Sequence, residues 1–193
     1  MRYKNTILIL VAAGALLAWG GCAPEKPQEF NPSAAESALP ARATRKAAEV
    51  LQQYLLLKNA LVATDSKEAG KSAGAMRLTL VSLLQDSALQ SGNTALAPAI
   101  QHTADTLLVQ LDSLLAVSDN SCEQQRIFFK PISEQMYRLL QITGMRHIMV
   151  YRQLCPMAFN EQGAYWLSLS PHIENPYFGN KMLPCGELTD TIR

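Results

Sequence analysis

The chain has 193 residues, of which 17% are charged and 48% are hydrophobic, and its formal net charge at pH 7 is +1. This near balance of acidic and basic residues gives no electrostatic basis for binding nucleic acid. The length and the hydrophobic content are sufficient for one compact domain with its own core.

The first residues have the pattern of an export signal. Two basic residues precede an unbroken apolar run over residues 7–19, which is shorter than the roughly 20 residues of a transmembrane helix. Small residues then lead directly to Cys22, as in the lipobox of bacterial lipoproteins, but a tryptophan replaces the usual leucine, so ordinary signal peptidase cleavage is the alternative. We expect a signal peptide over residues 1–21 and a lipid on Cys22. The protein would then lie in the bacterial cell envelope, facing the periplasm or the cell exterior.

A proline-rich stretch follows the predicted lipid site. Residues 22–40 contain four prolines, and Phe30 and Leu39 are their only sizeable apolar side chains. A segment of this composition cannot bury enough apolar surface to form a core. We therefore expect a flexible tether over residues 22–40 and a single folded domain over residues 41–193.

The first half of this domain has the apolar spacing of amphipathic helices. One helix is predicted over residues 44–63. A second begins at Asp65, which forms a variant of the capping box with Glu68. After a polar break at residues 91–93, a third helix is predicted to begin near Thr94, with Pro98 in its first turn.

A fourth helix is predicted from Ser121, whose hydroxyl forms a capping box with Gln124. Gly144 is a typical helix stop, and Pro131 should kink the helix on the way. Four amphipathic helices joined by short polar connections predict a mainly α fold, an up-and-down four-helix bundle over residues 41–144.

The pattern changes in residues 145–193, which are rich in prolines and aromatic residues. Residues 147–151 favour a strand, on which His147 and Met149 would share a face, and residues 164–169 could pair with residues 146–153 as a hairpin. We expect a small C-terminal cap on the bundle, with one or two short strands and proline-rich loops, held to the helices by its aromatic side chains.

The cap also contains the residues best suited to bind a ligand. Cys155-Pro156-Met157 and Met182-Leu183-Pro184-Cys185 form a near mirror pair of thiols and thioethers. Soft sulfur ligands of this kind select Cu(I). The predicted metal ligands are Cys155, Met157, Met182 and Cys185, with His147 and His172 as further candidates.

The same two cysteines could instead form a structural disulfide. Exported proteins usually oxidise paired cysteines, and a bond between Cys155 and Cys185 would stabilise the fold by about 3 to 4 kcal/mol in the loop-entropy model. Cys122 is then the odd thiol, which we expect to behave as a small buried hydrophobe.

No catalytic motif stands in the chain, since it lacks a metalloprotease motif, a phosphate loop and a Cys-x-x-Cys pair. We therefore expect a protein that is not an enzyme.

The C-terminal residues resemble a bacterial family of uncharacterised extracytoplasmic domains. The motifs that carry the resemblance are Cys155-Pro156-Met157-Ala158, Gly163-Ala164-Tyr165-Trp166-Leu167-Ser168, Asn175-Pro176-Tyr177-Phe178-Gly179 and Met182-Leu183 with Cys185-Gly186. They are densest from residue 147 to residue 192, and the likeness extends more loosely over the helices.

Members of this family occur as lipoproteins and at the C-terminus of periplasmic adaptor proteins of copper and silver efflux pumps. The resemblance therefore implies an extracytoplasmic helical domain linked to heavy-metal efflux or buffering. It leaves two hypotheses, a Cu(I)-binding domain or an interaction module, without a metal, that docks onto an efflux adaptor or another envelope protein. Cys-Pro-Met is also similar to the core of a short heavy-metal-binding motif, but Ala158 stands where that motif continues with a histidine.

Overall fold

The computed structural model describes residues 30–87, 89, 95–118 and 121–193. The predicted signal peptide, the lipid site at Cys22, the first part of the tether and the polar break at residues 91–93 lie outside these ranges. So does Thr94, near which the third helix is predicted to begin.

Four long helices pack in succession and confirm the predicted mainly α fold. They are α1 (Ala41–Ala63), α2 (Ser66–Leu84), α3 (Ala97–Leu115) and α4 (Cys122–Thr143). Each helix contacts the next, and α1 also contacts α4. Hydrogen bonds at both ends show that α1 and α4 are antiparallel: the Ala38 amide, just before α1, donates to Thr143 at the end of α4, and Arg126 near the start of α4 donates to Leu61 near the end of α1.

The predicted signals for the ends of the helices are confirmed. The Asp65 carboxylate accepts a hydrogen bond from the Glu68 amide at 2.9 Å, and the Ser121 hydroxyl accepts one from the Gln124 amide at 3.3 Å. Pro98 lies in the first turn of α3. Gly144 ends α4 with a left-handed φ of 59°, a conformation that glycine adopts without steric cost.

The cap contains a three-stranded antiparallel sheet of β1 (Val150–Cys155), β2 (Ala164–Ser168) and β3 (Glu187–Ile192), in the order β2-β1-β3. The predicted pairing of the first two strands is confirmed, with Cys155 opposite Ala164. The third strand was not predicted. Its first four residues are exposed, so it lacks the apolar alternation by which a strand is recognised in a sequence.

The bundle and the cap share one hydrophobic core. Tyr54 of α1 is fully buried, and its hydroxyl bonds both the Ser133 hydroxyl of α4, at 2.8 Å, and the Leu167 amide of β2, at 3.0 Å. A row of rings runs from the bundle into the cap: Tyr54 stacks on Phe129 with 5.4 Å between ring centres, and Phe129 packs at a tilt against Tyr177 of the cap at 5.7 Å. These contacts confirm that aromatic side chains anchor the cap to the helices.

Residues that precede α1 also pack against the bundle. Ala35 and Leu39 are buried in the common core, and the backbone of Glu36 pairs with that of Arg146. Residues 32–34 form a single 3₁₀ turn. The structured part therefore includes residues 30–40, which the sequence analysis assigned to the flexible tether.

Candidate functional site: a thiol pair between two proline turns

The fold brings Cys155 and Cys185 together. Cys155 is the last residue of β1 and is 0% exposed, whereas Cys185 precedes β3 and is half-buried. Their Sγ atoms lie 3.1 Å apart, and both cysteines are free thiols. The two sulfur-bearing stretches of the sequence therefore converge on one point of the cap.

Asn175 fixes the position of Cys185. The buried Asn175 side chain donates from Nδ2 to the Cys185 carbonyl at 2.7 Å, and its Oδ1 accepts from the amides of Tyr177 and Phe178. The Asn175 amide also donates to the Leu183 carbonyl at 2.9 Å. One buried amide thus ties the loop at residues 175–179 to the turn that carries Cys185.

Gly186 lets this turn approach the sheet closely. Its φ of +149° is rare for residues with a side chain, and a Cβ atom there would stand 2.8 Å from Trp166 Cη2 and 2.9 Å from the Leu154 carbonyl oxygen. Carbon atoms that are not bonded normally stay about 3.5 Å or more apart. Any larger residue at position 186 would therefore force this turn, which carries Cys185, to shift.

The contact between the two sulfurs changes the acidity of one of them. The hydrogen bond with Cys155, together with burial, raises the pKa of the Cys185 thiol to about 11. Cys185 therefore keeps its proton at neutral pH, and a metal ion that binds there must displace it. Cys185 therefore does not have the lowered pKa that is typical of reactive, disulfide-exchanging cysteines.

The separation of the sulfurs lies between the values for the two predicted states. A disulfide holds its sulfurs about 2.05 Å apart. Two thiolates on one tetrahedral ion, with metal–sulfur bonds of about 2.3 Å as for zinc, stand about 3.8 Å apart. The sulfur–sulfur separation in each of these states differs by about 1 Å or less from the observed 3.1 Å. Small rotations of the two side chains can make up this difference.

The two predicted thioether ligands are close to the thiols along the chain. Met157 follows Cys155 by two residues and is 51% exposed, and Met182 is half-buried. The Cys185 amide donates to the Met182 carbonyl at 3.0 Å, so that residue belongs to the same turn. Among the described residues no three His, Cys, Asp or Glu side chains are grouped as ligands, so a metal at this point would depend on the two thiols and on these methionines.

The two histidines do not join the thiol pair. His147 has a left-handed φ of 60° and comes before β1. The strand predicted over residues 147–151 begins only at Val150, so the prediction that His147 and Met149 share a face of it is wrong. Its imidazole contacts the Glu36 carboxylate at 3.3 Å. Cys155 lies at the other end of β1, about 16 Å further on at the rise of an extended strand.

His172 is nearer to Cys185 in the sequence than His147 is, but only its backbone forms hydrogen bonds with other residues of the cap. Its carbonyl accepts from Gln153 Nε2 at 3.1 Å, while the side chain is exposed.

Cys122, the predicted odd thiol, is buried at the start of α4, and burial raises the pKa of its thiol. The sequence analysis missed the roles of Asn175 and Gly186, although both stand in the motifs that carry the family resemblance.

These observations define the class of protein: a helical bundle whose small antiparallel cap contains a pair of adjacent thiols. The chain belongs to the family described as a protein of unknown function, DUF3347, whose profile matches residues 50–147. No curated protein and no solved structure matches the chain. Within the described residues no helix has the length and apolar character needed to span a membrane.

The family match covers the helices and ends where the cap begins. The resemblance noted in the sequence is densest over the cap itself, from residue 147 to residue 192. Membership of the family therefore bears on the bundle, and the thiol pair lies outside the matched residues.

Proposed function

We propose that this domain binds a soft metal ion, with Cu(I) as the best chemical match, through Cys155 and Cys185, and that it carries or buffers the ion for heavy-metal efflux. The single observation that supports this proposal is the 3.1 Å contact between two sulfurs that are 30 residues apart in the sequence. Thiolate and thioether ligands prefer Cu(I) to the harder divalent ions. Met157, which is exposed, and Met182, which is half-buried, would complete the coordination.

The proposed setting is the bacterial cell envelope. The leader sequence, with Cys22 at the lipobox position, supports export and a lipid anchor. The resemblance to domains of copper and silver efflux adaptors supports a role beside such a pump. In this setting the domain binds and releases an ion and performs no catalysis.

The test is a titration of the reduced protein with Cu(I) under anaerobic conditions, in competition with a chromogenic chelator. We expect uptake of one equivalent, and loss of that uptake in Cys155→Ser and in Cys185→Ser. Cys122→Ser is the matched control, because it removes a buried thiol at a distance from the pair. Equal uptake by the wild type and by both variants of the pair would contradict the proposal.

The thioether ligands are tested separately. Met157→Leu and Met182→Leu keep the size of the side chain and remove the sulfur. We expect each to weaken Cu(I) binding by about tenfold, the effect of one lost ligand interaction of about 1.4 kcal/mol. An unchanged affinity in the double variant would restrict the site to the two thiols.

The second candidate is an interaction module whose cap is held by a disulfide between Cys155 and Cys185. The complete burial of Cys155 favours it, because a buried sulfur suits a permanent cross-link better than an exchanging ion. An envelope thiol oxidase would accept the two electrons, and both thiol protons would be released. The module would then dock onto an efflux adaptor or another envelope protein.

Alkylation of freshly purified, never-reduced protein separates the two candidates. Because Cys155 is buried, the alkylation is done in denaturant with a metal chelator present. Peptide mapping should then find both Cys155 and Cys185 alkylated if they are free thiols, and neither alkylated if they are bonded. Recovery of an efflux adaptor in pull-downs that use the oxidised protein would support docking. Since the cap and the helices share one core, the docking surface has to be mapped with single exposed substitutions instead of a truncation after Gly144.

A further inference from the structure

A groove separate from the thiol pair lies between the first turns of α4 and the loop over residues 176–181. It consists of two hollows of about 290 Å³ and about 310 Å³. The hollows adjoin, because Glu123, Arg126, Phe178 and Lys181 line both of them. We call the two together the Arg126 groove. Its combined size falls in the range of small-molecule sites.

Arg126 lies at the centre of the groove and is only 5% exposed. Its Nε donates to the Pro176 carbonyl at 2.7 Å, and its Nη2 donates to the Leu61 carbonyl and the Thr64 hydroxyl at 2.9 and 3.0 Å. These bonds use three of the five N–H donors of a guanidinium. Within the described residues Nη1 has no acceptor, so its two donors are left for a ligand.

The charge of Arg126 is only partly compensated, because the nearby Glu123 carboxylate favours the charged guanidinium but forms no ion pair with it. None of the ion pairs between described residues includes it, and burial lowers the pKa of its guanidinium. The nearby Glu123 carboxylate is paired instead with Lys181 Nζ at 2.9 Å. A buried cation without a directly bonded counter-charge is costly, and an anion that binds beside it reduces this cost.

The walls of the first hollow are aromatic. Phe159, Tyr177 and Phe178 line it, and the Phe159 ring meets the Tyr177 ring edge-on with 5.5 Å between their centres. Phe159 is held there by an unusual backbone, since its φ of 54° begins three consecutive left-handed residues. A flat apolar group would therefore find ring surfaces next to the guanidinium.

We propose that the Arg126 groove binds a small organic carboxylate with a flat apolar body. The carboxylate accepts hydrogen bonds from Arg126 Nη1 and from Lys181, and the body lies against Phe159 and Phe178. A singly charged carboxylate suits the groove better than a doubly charged phosphate, because Glu123 contributes a negative charge at its rim. This binding is independent of any metal on the thiol pair.

The probe is 3-phenylpropionate, measured by calorimetry with the purified protein. Two reference compounds separate its parts: 3-phenylpropanamide lacks the charge, and acetate lacks the ring. We expect the probe to bind at least about tenfold more tightly than either. A hydrogen bond to a charged group contributes that much over the amide, and burial of the phenyl ring contributes that much over acetate. Equal binding of the probe and either reference compound would overturn the proposal.

Three exposed substitutions test the assigned charges. We expect Lys181→Gln to lower the affinity for the probe several-fold. Glu123→Gln should raise that affinity several-fold, because it frees Lys181 from its ion pair and removes a charge that repels the carboxylate. Lys71→Gln is the matched control, since Lys71 also forms an exposed ion pair with a glutamate, Glu68, and does not line the groove. An affinity unchanged by both groove variants would refute the site.

Arg126→Lys tests the central residue, with circular dichroism to confirm that the variant is folded. We expect at least about tenfold weaker probe binding, because an ammonium cannot present the Nη1 edge. In Cys155→Ser, binding of the probe should be unchanged, which keeps this proposal separate from the proposed metal site. Full affinity for the probe in a folded Arg126→Lys variant would overturn the proposal that the Arg126 groove binds a carboxylate.

Discussion

Asn175 shows how much of the cap depends on a single residue. Its side chain donates to the Cys185 carbonyl and accepts from the amides of Tyr177 and Phe178. All three partners belong to backbone that would otherwise lose contact with water and gain no hydrogen bond. Removing the side chain leaves those groups unsatisfied, and each such group costs about 1 to 3 kcal/mol.

We therefore expect Asn175→Ala to lower the free energy of unfolding by about 2 to 4 kcal/mol, measured by urea denaturation. The same change at Asn59, which is exposed on α1, should cost less than about 0.5 kcal/mol. Equal effects at the two positions would show that the bonds of Asn175 contribute nothing to stability.

The raised pKa of Cys185 gives the proposed metal site a dependence on pH. At any pH below about 11 the thiol is protonated, and a metal ion must displace that proton. The apparent affinity for Cu(I) should rise about tenfold per pH unit for each proton displaced. Chelator competition at several pH values between 6.5 and 8.5 measures this slope, and an affinity independent of pH would exclude Cys185 as a protonated ligand.

For single residues, the sequence predicts which ligands a side chain can bind better than it predicts where that side chain lies in the fold. Cysteine and methionine identify a soft ligand set in any fold, so the thiol pair could be proposed before the structure. The left-handed φ of His147 could not be foreseen, because residues with a side chain rarely adopt it. Arg126 belongs to the helix residues that resemble the family, but its role could not be predicted, since its partners include carbonyl groups 50 and 65 residues away in the sequence.

Among the elements, the turn over Ala158–Glu161 is the least ordinary. Phe159, Asn160 and Glu161 have φ values of 54°, 55° and 67°, and a left-handed conformation costs roughly 1 to 2 kcal/mol per residue with a side chain. Glycine avoids this cost. The turn therefore stores strain directly after Cys155-Pro156-Met157.

Replacing Glu161 by glycine should relieve part of that strain. We expect Glu161→Gly to raise the free energy of unfolding by about 1 kcal/mol in thermal or urea denaturation. Glu49→Gly deletes the same exposed side chain from the regular helix α1 and should lower it by about 1 kcal/mol. The opposite signs make the comparison decisive, and a loss of stability in both variants would show that the turn is not strained.

The helices were predicted well because each carries its own signals of spacing and capping, whereas the sheet was predicted only in part. β1 and β2 are apolar and close in sequence, so their pairing is a local feature. β3 is polar, and it is held by contacts that appear only after folding, such as the bond from the Tyr137 hydroxyl to the Asp190 carboxylate at 2.7 Å. The pattern of residues within a short stretch of sequence cannot predict such a long-range contact.

In the whole molecule, the matched family region and the physical core have different limits. The family match ends at residue 147, but the buried core continues through Trp166 to Tyr177. Tyr54 and Phe129, both within the match, bury their rings against residues of the cap. The bundle alone would expose these aromatic surfaces to water.

A fragment of residues 30–147 should therefore be much less stable than the full chain. We expect a broadened thermal transition, together with binding of a hydrophobic dye that the intact protein excludes. Retention of the full melting temperature by the fragment would mean that the cap adds little to the core. The intact chain, measured in the same buffer, is the control.

The backbone pairing of Glu36 with Arg146 determines where the chain enters the folded domain. It fixes the incoming chain beside the end of α4, a helix of 22 residues that spans about 33 Å at the usual rise. The Arg126 groove lies at the opposite end of that helix, and β1 likewise runs away from the point of entry toward Cys155. In the proposed setting, with a lipid on Cys22, the chain would enter the domain at the end of α4 that lies away from the Arg126 groove, and the groove would stay accessible to ligands.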